Sequence, residues 1–302
     1  MTPTEMPQDQ SSRRNIAVST VALLLAFLVC LAVIPGASSL GKVPDRVVAL
    51  TPFAANTMAN LGTRPIAVGQ TLGGDRRLAS VLITTPRLKL IHPVGPSLEQ
   101  LVQQKPDLVL TSSQWAKGTE AMRNLGMDVR YAEPTTIGGV YAQTRQIAKV
   151  MNREARGSRL IRQIRRQINR STGNYKSRPK VMLILGVGRS PFTFLPNSWG
   201  GQLMKLAGAQ LVTGGATGKG GFERISDEVV VAENPDVIIA VPHAETEDIP
   251  SMVDYIKTNP AWELTDAAQE NRVYVSTDNR LLQAGTDIGQ TIGLIRRQYL
   301  RN

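Results

Sequence analysis

"LEQLVQQKPDLVL" (Leu98 to Leu110) is echoed about 130 residues later by "DEVVVAENPDVII" (Asp227 to Ile239). In each stretch a glutamate, Glu99 or Glu228, is followed seven residues on by Pro-Asp and then by a run of Val, Leu and Ile. The first copy reads as a helix. Ser97 is placed as its N-cap, Gln100 holds the capping-box position, and Lys105-Pro106 closes it. "DLVLTSS" is then a strand without polar alternation, as in a parallel sheet covered on both faces. The second copy has Ser226 near the start of its helix and "DVIIAVPH" as its strand. The spacing is far too long for a solenoid repeat, so the echo predicts two similar lobes, each carrying the same unit at an equivalent place.

The surrounding sequence fits this plan. "DRVVAL", "PIAVGQ" and the end of "MRNLGMDVRYAE" are short apolar strands interleaved with helices, which gives an α/β lobe over 44–135 with a mostly parallel sheet. From Ile137 to Arg170 there is no proline, and Ile147, Val150, Met151, Ile161, Ile164 and Ile168 recur at helical spacing. This predicts one long linking helix over 137–172, bent near Gly157. The arginines at 153, 156, 159, 162 and 165 are spaced by three, which winds around a helix and reads as a solvated surface. A second α/β lobe over 178–302 opens with "KVMLILGVG", a strand ending in a glycine loop. The fold class is therefore α/β, with two Rossmann-like lobes joined by one long interdomain helix.

Residues 1–39 read as an export signal or membrane anchor. "SSRRN" precedes an uncharged run from Ile16 to Ile34, followed by Pro35, Gly36 and two serines. Three fates are open: cleavage after a small residue, with Ala37 and Ser39 suitably placed; lipidation at Cys30, the only cysteine; or retention as an anchor. Each puts the folded part outside the cytoplasm. The chain of 302 residues carries a formal net charge of +11. Glu5 and Asp9 cancel Arg13 and Arg14, so the folded part supplies that charge. No finger, ribonucleoprotein signature or recognition helix accompanies it, which argues against nucleic acid and leaves an anionic surface or an acidic ligand.

Motifs for chemistry on a substrate are missing. "GVGRSP" lacks the third glycine of a dinucleotide fingerprint, and "TGGATGKGG" has Thr213 and Gly220 where a phosphate loop needs Gly and Ser/Thr. There is no nucleophile elbow, so neither an enzyme nor a catalytic cofactor is expected. Two histidines stand where α/β sheets bind ligands, at the carboxyl ends of strands: His243 closes "DVIIAVPH", and His92 lies in "LIHPVGP". Imidazole suits iron, and haem takes one histidine readily. Phe53, Trp115 and Trp199 follow strands or loops and would suit a flat apolar ligand. Arg189 and Arg280 are candidates for pairing with its carboxylates.

Taken in order, "RVVALTPFAANTMANLG", "VGPSLEQLVQQKPDLVL", a long helix, "RPKVMLILGVG", "GGQLMKLAGAQLV", "ISDEVVVAENPDVIIAVPH" and "NPAWELTDAAQENRVYV" resemble the class III, helical-backbone substrate-binding proteins of ABC importers for haem, ferric siderophores and cobalamin. Within that family the likeness is to the haem-binding lipoprotein of the iron-regulated surface determinant system. The resemblance implies a type III periplasmic-binding-protein fold and haem as the transported ligand, with a ferric siderophore as the alternative, then cobalamin, and a chelatase-type enzyme last. It implies His243 as an axial iron ligand. The family's axial methionine position is Val94 here, which cannot bind iron, so His92 is the expected replacement and Tyr131 a weaker one. It also implies an ABC permease dimer with its ATPase as partner, docked through Glu99 and Glu228, one acid per lobe.

Overall fold

A computed structural model describes residues 42–300, apart from 71–77, 92–93, 174, 176, 188–189, 244–248 and 277–278. Pro44–Asn302 packs as one compact unit with its own apolar cores. The apolar run of residues 16–34 lies outside the described residues, and among the latter no helix is long and apolar enough to cross a membrane.

The first lobe runs through β1 (Val47–Ala49), α1 (Pro52–Asn60), β2 (Ala67–Gly69), β3 (Arg87–Leu88), the paired β4 (Leu90–Ile91) and β5 (Gly95–Pro96), α2 (Leu98–Gln104), β6 (Leu108–Thr111), α3 (Ala116–Asn124) and β7 (Val129–Tyr131). Its sheet has the order β3-β2-β1-β6-β7 and is parallel throughout. A linking segment, α4 (Ile137–Val150) and α5 (Glu154–Ser171), leads to the second lobe. There β8 (Lys180–Val187), β9 (Ser190–Phe194), α6 (Trp199–Ala207), β10 (Gln210–Leu211), β11 (Phe222–Arg224), α7 (Asp227–Glu233), β12 (Val237–Pro242), α8 (Ile249–Lys257), α9 (Asp266–Gln269), β13 (Val273–Val275) and α10 (Ile288–Gln298) follow. The second sheet is ordered β11-β9-β8-β12-β13, with β10 also on β8. It is not parallel throughout, because β9 turns back antiparallel on β8 and β11 on β9.

The echoed stretches build the same unit twice. α2 and α7 each have seven residues and end on a left-handed cap, Lys105 at φ 47° and Asn234 at φ 40°. The cap reverses the chain into Pro-Asp, and the aspartate fastens the next strand to the first strand of its lobe. Asp107 Oδ2 accepts from the backbone N–H of Asp45 (3.0 Å) and Arg46 (3.1 Å), while its own N–H donates to Arg46 O at 2.8 Å. Asp236 Oδ2 accepts from Lys180 N at 2.7 Å, and its N–H donates to Lys180 O at 2.9 Å. β6 then pairs with β1 and β12 with β8, both fully buried as their unbroken apolar runs predict.

The linking segment corrects the expectation of one helix. It is two, broken at Met151–Arg153, where Asn152 takes φ 52°. Asparagine tolerates this left-handed conformation better than most residues. Gly157 is not the bend. It lies inside α5, where a Cβ would come within 2.5 Å of Ala148 Cβ on α4, so its bareness lets the two helices close on each other. Gly157→Ala gains about 1 kcal/mol of helix propensity. The clash between two backbone-fixed methyl groups outweighs that gain, and we expect a net loss of about 2 kcal/mol in urea unfolding. One apolar cluster runs from Val47 and Phe53 through Ile147, Ile164 and Ile168 into Val181, Ile239 and Ile292, so both lobes share a core through these helices.

Candidate functional site

The carboxyl ends of the strands in both lobes face a common cavity of about 470 Å³, within the range of roughly 300–1,000 Å³ typical of small-molecule sites. Much of the wall comes from positions at or just past the ends of strands. Thr51 and Pro52 follow β1, Ser112 and Trp115 follow β6, and Glu133 and Pro134 follow β7. From the second lobe come Leu185 on β8, Ser198 and Trp199 after β9, and His243 immediately after β12. Local bonds fix these loops. Thr51 Oγ1 accepts from Ala54 N (3.2 Å) as an N-cap and donates to Ala132 O (2.5 Å), which ties β1 to β7 at the cavity floor. His243 N–H donates to Gly186 O at 2.8 Å, so the β12 ladder holds the backbone beneath the imidazole.

The cavity brings together His243, Trp115 and Trp199 among the residues singled out from sequence. Phe53 and Arg280 are corrections. Phe53 follows β1 but lies in the first turn of α1, which points it into the core at 1% exposure. Arg280 is not among the residues lining the cavity; its carbonyl accepts from Trp199 Nε1 at 2.8 Å, and the residue lines a different recess. His92 and Arg189 lie outside the described residues. Tyr131 ends β7 at 42% exposure beneath the Arg123 guanidinium and does not line the cavity. Val94 is exposed on the loop before β5. Glu99 and Glu228 are both exposed in the first turns of α2 and α7, where the helix dipole favours them. The Ser226 hydroxyl, together with Glu228's own backbone N–H, holds the Glu228 carboxyl below the ordinary carboxylate range.

Sequence reasoning passed over three wall residues. Phe222, stacked edge-on against Phe194 at 4.7 Å, is the aromatic wall that Phe53 is not. Lys219 of the glycine-rich loop is exposed at the mouth. Glu133 is the third, although the strand-end rule that selects His243 selects it equally well. Removal from water pushes its carboxyl above the ordinary range, against the lowering effect of the Ser112 hydroxyl that donates to it. Ser112 in turn accepts from Gln114 N at 3.0 Å. A carboxyl with a raised folded-state pKa binds its proton more tightly folded than unfolded. It therefore costs stability as pH climbs from the ordinary carboxylate range through the raised value. Glu133→Gln should raise the melting temperature at pH 8, and the difference should vanish below about pH 3, where both states hold the proton.

No group of three or more His, Cys, Asp or Glu residues positioned for a metal occurs among the described residues. His243 shares the cavity lining with Trp115, Trp199, Phe222 and Glu133.

A sequence profile of the family described as "Periplasmic binding protein" matches residues 47–279, and the chain belongs to that family. Its fold is that of the class III substrate-binding proteins. An ABC transporter substrate-binding protein from Listeria monocytogenes superposes with a TM-score of 0.73 at 22% identity, over 86% of this chain and 100% of that one. The "High-affinity heme uptake system protein IsdE" of Staphylococcus aureus is 25% identical over 188 residues, 61% of this chain and 64% of that protein. Its structure complexed with heme superposes with a TM-score of 0.70 at 22% identity, over 86% and 100% of the two chains. The "Cobalamin-binding protein" of Halobacterium salinarum is 27% identical over 252 residues, 80% of this chain. The match spans 66% of that relative's length.

Proposed function

We propose that this chain is the extracytoplasmic substrate-binding component of an ABC importer and carries haem in the cleft between its lobes. The observation that supports this best is His243, held at the end of β12 on a cavity walled by Trp115, Trp199 and Phe222. A flat, largely apolar ring needs such walls, and its iron needs one good axial donor. His92 is proposed as the second donor. In this reading residues 1–39 export or anchor the chain, the lobes are 44–135 and 178–302, and Glu99 and Glu228 meet the permease, whose ATPase drives transport. The cleft binds and releases; it makes and breaks no covalent bond in the ligand.

A second ligand reading has its own support. Lys219 at the mouth, beside Phe222, suits an anionic ferric siderophore, which takes no iron ligand from the protein. The name of the Halobacterium relative keeps cobalamin in view. The test is titration of residues 44–302 with haemin, a ferric siderophore and cobalamin. Saturation at one haemin per chain with a shifted Soret band is expected. Saturable tryptophan quenching by the siderophore or by cobalamin, with no saturable haemin spectrum, would overturn the haem assignment.

A further inference from the structure

Four arginines of α5 share one face. Arg159, Arg162, Arg166 and Arg170 follow one another at intervals of three, four and four, which at 100° per residue keeps them within about 80° of one another. Gly157, Leu160, Ile161, Ile164 and Ile168, the buried residues of the helix, occupy the opposite side, and all four arginines are exposed. This row differs from the series spaced by three. Of the arginines off the row, Arg156 donates to Leu61 O at 2.8 Å and Arg165 lies 4.9 Å over the Tyr141 ring.

The row is about 17 Å long at 1.5 Å per residue and ends in a recess. Arg170 there lines, with Arg280, Arg297, Gln167 and Gln290, a volume of about 500 Å³ in which no carboxylate stands among the described lining residues. Residues 137–172 hold nine basic side chains and one acidic, Glu154. Among the described residues its lining also holds no aromatic ring, and so no stacking platform for nucleic-acid bases. A straight row of guanidinium groups ending in a cationic recess complements an extended surface studded with phosphates.

We propose that the arginine row of α5, with the Arg170–Arg280–Arg297 recess at its end, is a docking face for an anionic phospholipid bilayer whose headgroup phosphates enter the recess. The inference rests on the export reading above. The chain from Ile34 to Pro44 spans at most about 35 Å, so an anchor at residues 16–34 would keep the folded region within reach of lipid. The arrangement locates the excess charge on one element, where composition alone left it spread over the chain.

Residues 44–302, which carry their own cores, are sedimented with vesicles of phosphatidylcholine, with and without phosphatidylglycerol. Binding to the anionic vesicles that weakens with added salt is expected. The variant with Arg159, Arg162, Arg166 and Arg170 all changed to glutamine should lose at least about tenfold in partitioning. A charge-matched variant with Arg87, Lys89, Lys117 and Lys257 changed to glutamine should stay within about twofold of the parent. Equal loss in both variants would reduce the effect to net charge and overturn the assigned face, as would undiminished binding of the row variant. Binding to a DNA duplex with none to vesicles would replace lipid by nucleic acid. The assay uses neither transported ligand nor permease, so it can fail while haemin binding stands, and haemin binding can fail while it succeeds.

Discussion

His243→Ala should lower haemin affinity by about 100-fold, which corresponds to about 2.8 kcal/mol, and should abolish the low-spin Soret spectrum. The imidazole is the one histidine that the described cavity contains, and no group of three metal-binding side chains stands in reserve among the described residues. The apolar walls would still hold the porphyrin weakly, so a shallow, non-saturating absorbance rise is expected rather than silence. His243→Met tests the role more sharply. A thioether still binds haem iron, so a shifted but saturable spectrum is predicted. A siderophore complex should tolerate both substitutions within about threefold, because it asks nothing of a protein donor. An unchanged haemin titration of His243→Ala would remove this residue from the iron and transfer the axial role to the loop carrying His92.

The second large effect is expected on transport rather than on binding. Glu99→Arg combined with Glu228→Arg should reduce iron accumulation by cells carrying the variant to near background. Each single reversal should cost about tenfold, and the haemin spectrum should not change. Both glutamates are exposed and neither lines the cavity, so on the proposed docking reversal would replace attraction by repulsion at the partner while leaving the cleft alone. That the two positions are structurally equivalent follows from the repeated helix, left-handed cap and Pro-Asp clamp. Uptake unaffected by the double reversal would make these residues ordinary helix-start acids.

The parts of this fold that were legible in sequence are those set by local chemistry. Ser97 as N-cap, the turn before Pro106 and Pro235, and the unalternated strands are decided within a few residues, and the echo exposes them twice. The antiparallel return of β9 was not legible, because nothing within "SPFTF" says which edge of β8 it will take. Glycine misled at position 157, where absence of a side chain serves close packing, while the real break fell on Asn152. The site divides in the same way. Strand-end position found His243, but that rule gives no direction for a side chain, so Phe53 turned inward and Arg280 turned to another recess. Glu133 obeyed the rule and was passed over because sequence does not reveal how far the fold removes a carboxyl from water.

The shared core also bears on how an importer would tell a full receptor from an empty one. Ile147, Ile164 and Ile168 lie in the same apolar cluster as residues of both sheets, and prying the lobes apart would expose that cluster to water. If that core limits the lobes to a small hinge movement, as the proposed docking requires, the spacing of Glu99 and Glu228 changes little with occupancy. An importer that recognises this fixed footprint will be visited by vacant receptors as readily as by loaded ones. Transport should therefore peak and then decline as receptor is raised above cargo, a signature of traffic jammed by its own carriers.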